Sequence, residues 1–173
     1  MSRQCWQKSW KKGSIRCLQT GILIAYQTSG TINTAQEIKV LNLKTDEENA
    51  VAAKSGEAIR PLGFIGSDFV YGISAAGRCR SYGSGRGTVP MYELEIRNSE
   101  NEVMKTYSAD QIYISDVFIE ENMMTLNRVV KSGETYTVTS QDYISSNEEK
   151  KTKKYNSGSF QYRFKRKADA ADL

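Results

Sequence analysis

Apolar positions along the chain either cluster in short runs or alternate with polar ones, and no stretch shows a helical face over helix length. Gly21-Ile22-Leu23-Ile24-Ala25-Tyr26 is a short apolar run that reads as a buried strand. A polar loop over 28–36 leads to Glu37–Leu43, which alternates with period two and sets Ile38, Val40 and Leu43 near one buried face. Lys44-Thr45-Asp46 signals a turn, a weaker strand follows at 49–53, and Ile59–Ile65 is a fourth strand closed by the turn Gly66-Ser67-Asp68. Residues 1–20 show neither alternation nor a helix cap and read as a poorly ordered basic lead-in.

The same order then restarts. Phe69–Ile73 matches 22–26, the Gly-, Ser- and Arg-rich stretch 75–90 is a long loop, and 91–97 alternates as 37–43 does. Asn98–Asn101 is a turn, 102–107 alternates again, and 112–119 matches 59–65 before a turn at 120–122. A third round opens with Met123–Val130 and pairs with 134–139. A unit of about 45–55 residues built from four short antiparallel strands has the period of a β-propeller blade. The expected fold is therefore all-β, with antiparallel four-stranded repeats forming a partial β-propeller of about two to three blades. A β-sandwich or open meander shares the regular strand spacing and stands as the alternative. The expected organisation is a lead-in at 1–20, propeller-like repeats over 21–147, and a charged loop, last strand and tail over 148–173.

The block Ile59-Arg60-Pro61-Leu62-Gly63-Phe64-Ile65-Gly66-Ser67-Asp68-Phe69-Val70-Tyr71-Gly72, with Pro90-Met91-Tyr92 and the 112–121 segment, resembles a group of propeller-type proteins of gut Firmicutes. The resemblance extends over about 20–150. It implies a propeller fold and association with the cell envelope, and it carries no assigned activity or catalytic residues. Members of that group place a membrane segment ahead of the blades. This chain departs from them in lacking that segment and most of the blades. About two to three blades fall short of the roughly four to eight of a closed ring, so a fragment, a domain truncated at its start or part of an assembly is expected.

Composition sharpens the picture at three points. The chain of 173 residues has no histidine, which removes Ser-His-Asp and Cys-His catalysis and the commonest ligand of catalytic zinc. Cys5, Cys17 and Cys79 show neither a disulfide framework nor CxxC spacing. The net charge of +4 is uneven: residues 1–16 hold five bases and no acid, 17–147 eleven bases and sixteen acids, and 148–167 eight bases and two acids. No run reaches the ~20 apolar residues of a membrane span.

The remaining candidate chemistry is sparse. Asp68, Asp116, Glu120 and Glu121 sit at strand ends and turns, where acids serve local hydrogen bonding more simply than a glycosidase pair. Asp46-Glu47-Glu48 lacks the glycine and alternating ligands of a calcium loop. Gly83-Ser84-Gly85-Arg86-Gly87-Thr88 has no Gly-Lys-Ser/Thr ending and precedes a strand, so it is a loop rather than a phosphate cradle. Arg78, Arg80 and Arg86 on that loop are the candidate binding residues, suited to an acidic ligand. Tyr26, Tyr71, Tyr92, Tyr107, Tyr113 and Phe118 are expected to pack between strands rather than form a ligand cage. No catalytic, metal or cofactor-binding residue is expected. The reading is a non-catalytic binding or scaffolding module whose partner is a protein or another envelope component. The alternative is a basic-tailed binder of nucleic acid or an anionic surface. It would use Lys150, Lys151, Lys153 and Lys154 with the aromatic–basic alternation of 159–167. One further strand with Phe160, Tyr162 and Phe164 on its inner face explains that alternation more simply.

Overall fold

The structure, a computed structural model, describes residues 15–17, 22–77, 87 and 89–146, with backbone only for 15–17. Every regular element among them is a β-strand, grouped in chain order into three antiparallel sheets. The first sheet runs β1 (Ile15–Cys17), β2 (Leu23–Gln27), β3 (Glu37–Asn42) and β4 (Glu48–Ala52). The second runs β5 (Glu57–Ile65), β6 (Asp68–Ala75), β7 (Glu93–Arg97) and β8 (Val103–Ser108). The third pairs β9 (Ile112–Glu120) with β10 (Met123–Ser132), whose other edge takes β11 (Thr135–Val138) and β12 (Asp142–Ser145).

β11 and β12 are one interrupted strand. Val138 pairs with Val129 and Asp142 with Leu126, so the register slips by a single residue across 139–141, the signature of a bulge. Among the described residues the third sheet thus has three strand positions where the first two have four.

Alternation decides what each strand buries. On β6, Phe69, Tyr71 and Ile73 face the first sheet and join Ala25, Ile38, Val51, Ile59 and Phe64 in one core. Val70 points the other way and joins Ile65, Met91, Leu94, Ile96, Ile114, Met124, Leu126 and Ile144 in a second core against the third sheet. The middle sheet is therefore buried on both faces, which explains why 69–73 reads as a continuous apolar run. Gly72 on β6 faces the second core. A Cβ there would lie 1.9 Å from the Met91 Sδ, so glycine is what lets Met91 seat against the strand. Pro61 lacks an amide donor and sits on the edge strand β5, beside a register shift between Pro61 and Gly63.

The most extensive strand contacts between sheets involve β5, which meets β1, β2 and β3 of the first sheet and β9 of the third. Met91 and Ile114 exchange both backbone hydrogen bonds, at 2.8 and 2.7 Å, and tie the second sheet to the third. The expected turns fall into place at one end of the sheets, with Asp46, Gly66, Asn101 and Glu121 in the left-handed region at the β3–β4, β5–β6, β7–β8 and β9–β10 connections.

Four expectations are corrected. Residues 59–65 open the second sheet rather than close the first. Ile15–Cys17, within the expected structureless lead-in, pairs with β2. Leu43 lies beyond β3, where its amide continues the pairing with β2 by donating to the Ile22 carbonyl, and its side chain is 47% exposed at the start of the β3–β4 turn. Phe118 is 55% exposed rather than packed between strands, because it faces outward from a sheet covered on one side.

Candidate functional site

Arg78, Arg80 and Arg86 lie outside the described residues; the base of their loop does not. β6 ends at Ala75, and the chain is back in place at Val89, Pro90 and Met91 before β7. One residue, Asn33, holds both ends of the intervening segment. Its backbone carbonyl accepts from the Gly77 amide at 3.2 Å. Its side-chain Nδ2 donates to the Gly87 carbonyl at 3.1 Å, and its Oδ1 accepts from the Val89 amide at 2.9 Å. The three arginines therefore belong to a segment that leaves and returns at a single fixed point.

Asn33 is itself held rigidly. The connection between β2 and β3 is a compact turn in which Thr34 and Ala35 amides donate to the Thr31 carbonyl at 3.0 and 2.9 Å. The Thr31 amide returns a bond to Thr34 Oγ1 at 2.9 Å. Gly30 has φ 78°, and a Cβ there would sit 2.9 Å from the Thr34 carbonyl oxygen, so the turn requires glycine. Ala35 is fully buried, and its carbonyl accepts from the Ile59 amide at 2.9 Å. The chain also anchors the loop from the β4–β5 side, where the Ala76 amide donates to the Gly56 carbonyl at 2.8 Å. At the return end, the Tyr92 hydroxyl donates to Glu57 at 2.6 Å. Burial, then this bond, raise the Tyr92 hydroxyl above its ordinary pKa. The loops of this rim are long at β2–β3 and β6–β7, whereas the opposite rim carries short turns at β3–β4, β5–β6, β7–β8 and β9–β10.

The opposite rim holds a cleft of about 80 Å³ between the first two sheets, floored by Leu23, Val40, Phe64 and Phe69. Small-molecule pockets are about 300–1,000 Å³, so this one is a packing gap at the seam. Its amides serve the seam: Asn49 Nδ2 donates to the Ser99 carbonyl at 3.1 Å and Asn101 Nδ2 to the Ala50 carbonyl at 3.3 Å.

The acids are dispersed. Asp116 and Glu120 share the outward face of β9 with Phe118 between them, and Asp116 accepts from the adjacent Val117 amide at 2.9 Å. Glu121 occupies the β9–β10 turn and Asp68 opens β6. Among the described residues no group of three or more His, Cys, Asp or Glu is placed to hold a metal ion. The tyrosines do act between strands and sheets. Tyr71 donates to Glu95 across the β6–β7 pair, and Arg97 completes that network from 3.0 Å. Tyr107 donates to Asp142 at 2.9 Å, where Arg128 also binds from 3.1 Å. Tyr113 meets Tyr136 edge-on with centroids 5.3 Å apart. Asn33 and Glu57 gave no sequence signal, because a single polar residue in a polar loop has no period to stand out against. The charged 148–167 tail lies outside the described residues.

Comparison of the chain with protein-family models, with curated proteins and with solved structures finds no match.

Proposed function

We propose that the chain is a non-catalytic binding or scaffolding module of the bacterial cell envelope, built as consecutive propeller-like blades and recognising an acidic partner through Arg78, Arg80 and Arg86. The observation that carries this reading is the Asn33 clamp. Three guanidinium groups on a loop whose two ends are pinned to one hydrogen-bonded turn lose less entropy on binding than the same groups on a free loop. The blade reading is supported by three successive antiparallel sheets that share two cores, one on each face of the middle sheet. The envelope assignment rests on the resemblance of residues 59–72. No helix among the described residues is long and apolar enough to cross a membrane.

The test is binding to immobilised poly-glutamate and to lipoteichoic acid at about 50 and 200 mM salt, over which phosphate-type contacts weaken steeply. The variant Arg78→Gln/Arg80→Gln/Arg86→Gln should lose at least about tenfold in affinity, equivalent to about 1.4 kcal/mol. The variant Lys150→Gln/Lys151→Gln/Lys153→Gln/Lys154→Gln should retain the parent affinity. The opposite pattern would transfer the activity to the basic tail and establish the anionic-surface alternative.

A further inference from the structure

The third sheet has an incomplete edge. In the first two sheets the third strand is followed within a few residues by a fourth, β4 and β8, that covers its free side. In the third sheet the equivalent third strand is β11 with β12, and among the described residues nothing pairs with its outer edge. An uncovered run of backbone donors and acceptors on a sheet edge is a template for one more strand. The uncovered part also carries apolar surface: Tyr143 on β12 is 58% exposed and Val138 on β11 is 75% exposed.

We propose that residues 159–165 occupy this edge, pairing with β11 and β12 as the fourth strand of the third sheet. This inference is independent of what the arginine loop binds. Three observations single out this occupant. The chain continues for residues 147–173 after the last described residue, Ser146, and the dozen residues before Ser159 are ample for a hairpin return. Within that continuation only Ser159-Phe160-Gln161-Tyr162-Arg163-Phe164-Lys165 alternates apolar and polar residues with period two, the pattern a half-buried strand requires. Charge is complementary as well. The third sheet and its turns carry Asp116, Glu120, Glu121, Glu134 and Asp142 against Arg128 and Lys131, whereas 148–167 holds eight bases and two acids. Aromatic side chains beside Tyr143 or Ile144 are the cross-strand neighbours that stabilise such a pair.

Hydrogen–deuterium exchange on the full chain tests this. Amides of 159–165 should exchange at least about tenfold more slowly than an unstructured peptide, independently of protein concentration. The full-length variant Phe160→Ser/Tyr162→Ser/Phe164→Ser should lose that protection and speed exchange at 142–145 by a similar factor, while 69–73 in the middle sheet stays protected and reports that the fold is intact. Exchange of 159–165 at the unstructured rate overturns the proposal. Protection of 142–145 that rises with concentration and survives the triple substitution also overturns it, and assigns the edge to a second copy of the chain.

Discussion

The second and third sheets share one core and differ in what lies on their far sides. β6 buries Phe69, Tyr71 and Ile73 against the first sheet and Val70 against the third, so the stretch 69–74 has no exposed face. β10 buries Met124 and Leu126 toward the second sheet, while Met123 on the opposite face is 46% exposed. The same strand position in consecutive sheets thus reads as a continuous apolar run in one and as a run broken by Thr125, Asn127 and Arg128 in the other. Periodicity reports how many faces are covered, and that depends on the neighbours and not on the strand itself.

That contrast can be broken most forcefully at the shared core. Leu94 from the second sheet and Leu126 from the third are both fully buried in it. Leu94→Ala and Leu126→Ala should each cost about 2–5 kcal/mol in urea unfolding, from lost transfer energy plus the cavity left behind. Phe118→Ser, on the outward face of β9, should stay within about 0.5 kcal/mol. Equal costs for Phe118 and Leu94 would mean that the outer face of the third sheet is covered after all.

Gly72 sharpens the comparison from the second sheet alone. Its added methyl would meet both the Sδ and the Cγ of the buried Met91. Overpacking of this kind costs about 1–3 kcal/mol, so Gly72→Ala should lower the unfolding midpoint clearly. Gly72→Ala combined with Met91→Ala should recover part of the clash while leaving a cavity, and a double-mutant cycle would show strong coupling between the two positions.

The Asn33 clamp joins the first sheet's β2–β3 turn to the second sheet's long loop, and the third sheet has no counterpart, since β10 and β11 are joined tightly through Gly133. Asn33→Ala removes two side-chain hydrogen bonds and should cost about 1–2 kcal/mol. Asn33→Asp keeps the acceptor to the Val89 amide but loses the donor to the Gly87 carbonyl, and should fall between alanine and the parent. In the binding assay both should weaken poly-glutamate capture through a looser loop. Unchanged capture with lowered stability would show that the clamp serves the fold alone.

How much of this was legible in the sequence follows from the same contrast. Strands such as β3 and β7 carry their alternation openly, and the turns at Asp46, Gly66, Asn101 and Glu121 were signalled by their residue types. The phase of the repeat was not legible. A cyclic order of four strands looks the same wherever counting begins, and only pairing shows that 57–65 starts a sheet. β12 escaped notice because Asp142-Tyr143-Ile144-Ser145 holds one buried residue, Ile144, and its identity as a continuation of β11 rests on a one-residue slip. β1 was hidden by its brevity. At the candidate site, the three arginines were picked out by composition and lie outside the described residues, whereas Asn33 acquires its role from two segments that are far apart in the chain.

The smallest effect distinguishes the two seams by pH. Each seam ends in a tyrosine, a carboxylate and an arginine: Tyr71, Glu95 and Arg97 beside the first core, and Tyr107, Asp142 and Arg128 beside the second. The Tyr107 hydroxyl, the Tyr143 amide and Arg128 together hold the Asp142 carboxyl below its ordinary value of 3.8. A depressed carboxylate contributes its stability above the unfolded pKa and loses it as pH falls through the folded one, so the second seam should weaken below about pH 4. Asp142→Asn should therefore lower the thermal midpoint at neutral pH slightly and flatten its decline in acid. At the alkaline end the sign reverses. Burial and then the bond to Glu95 raise the Tyr71 hydroxyl, and burial is likewise the leading cause at Tyr107. Their contribution is complete below about pH 10 and is lost as pH climbs through the raised values. Spectrophotometric tyrosine titration should accordingly show groups ionising well above 10, with Tyr26 at about 12. Because the depressed Asp142 lies beside Tyr107 rather than Tyr71, Tyr71→Phe should blunt the alkaline loss without touching the acid limb that Asp142 sets. A change in the acid limb on Tyr71→Phe would show that the two seams unfold as one unit and that the third sheet is as firmly held as the second.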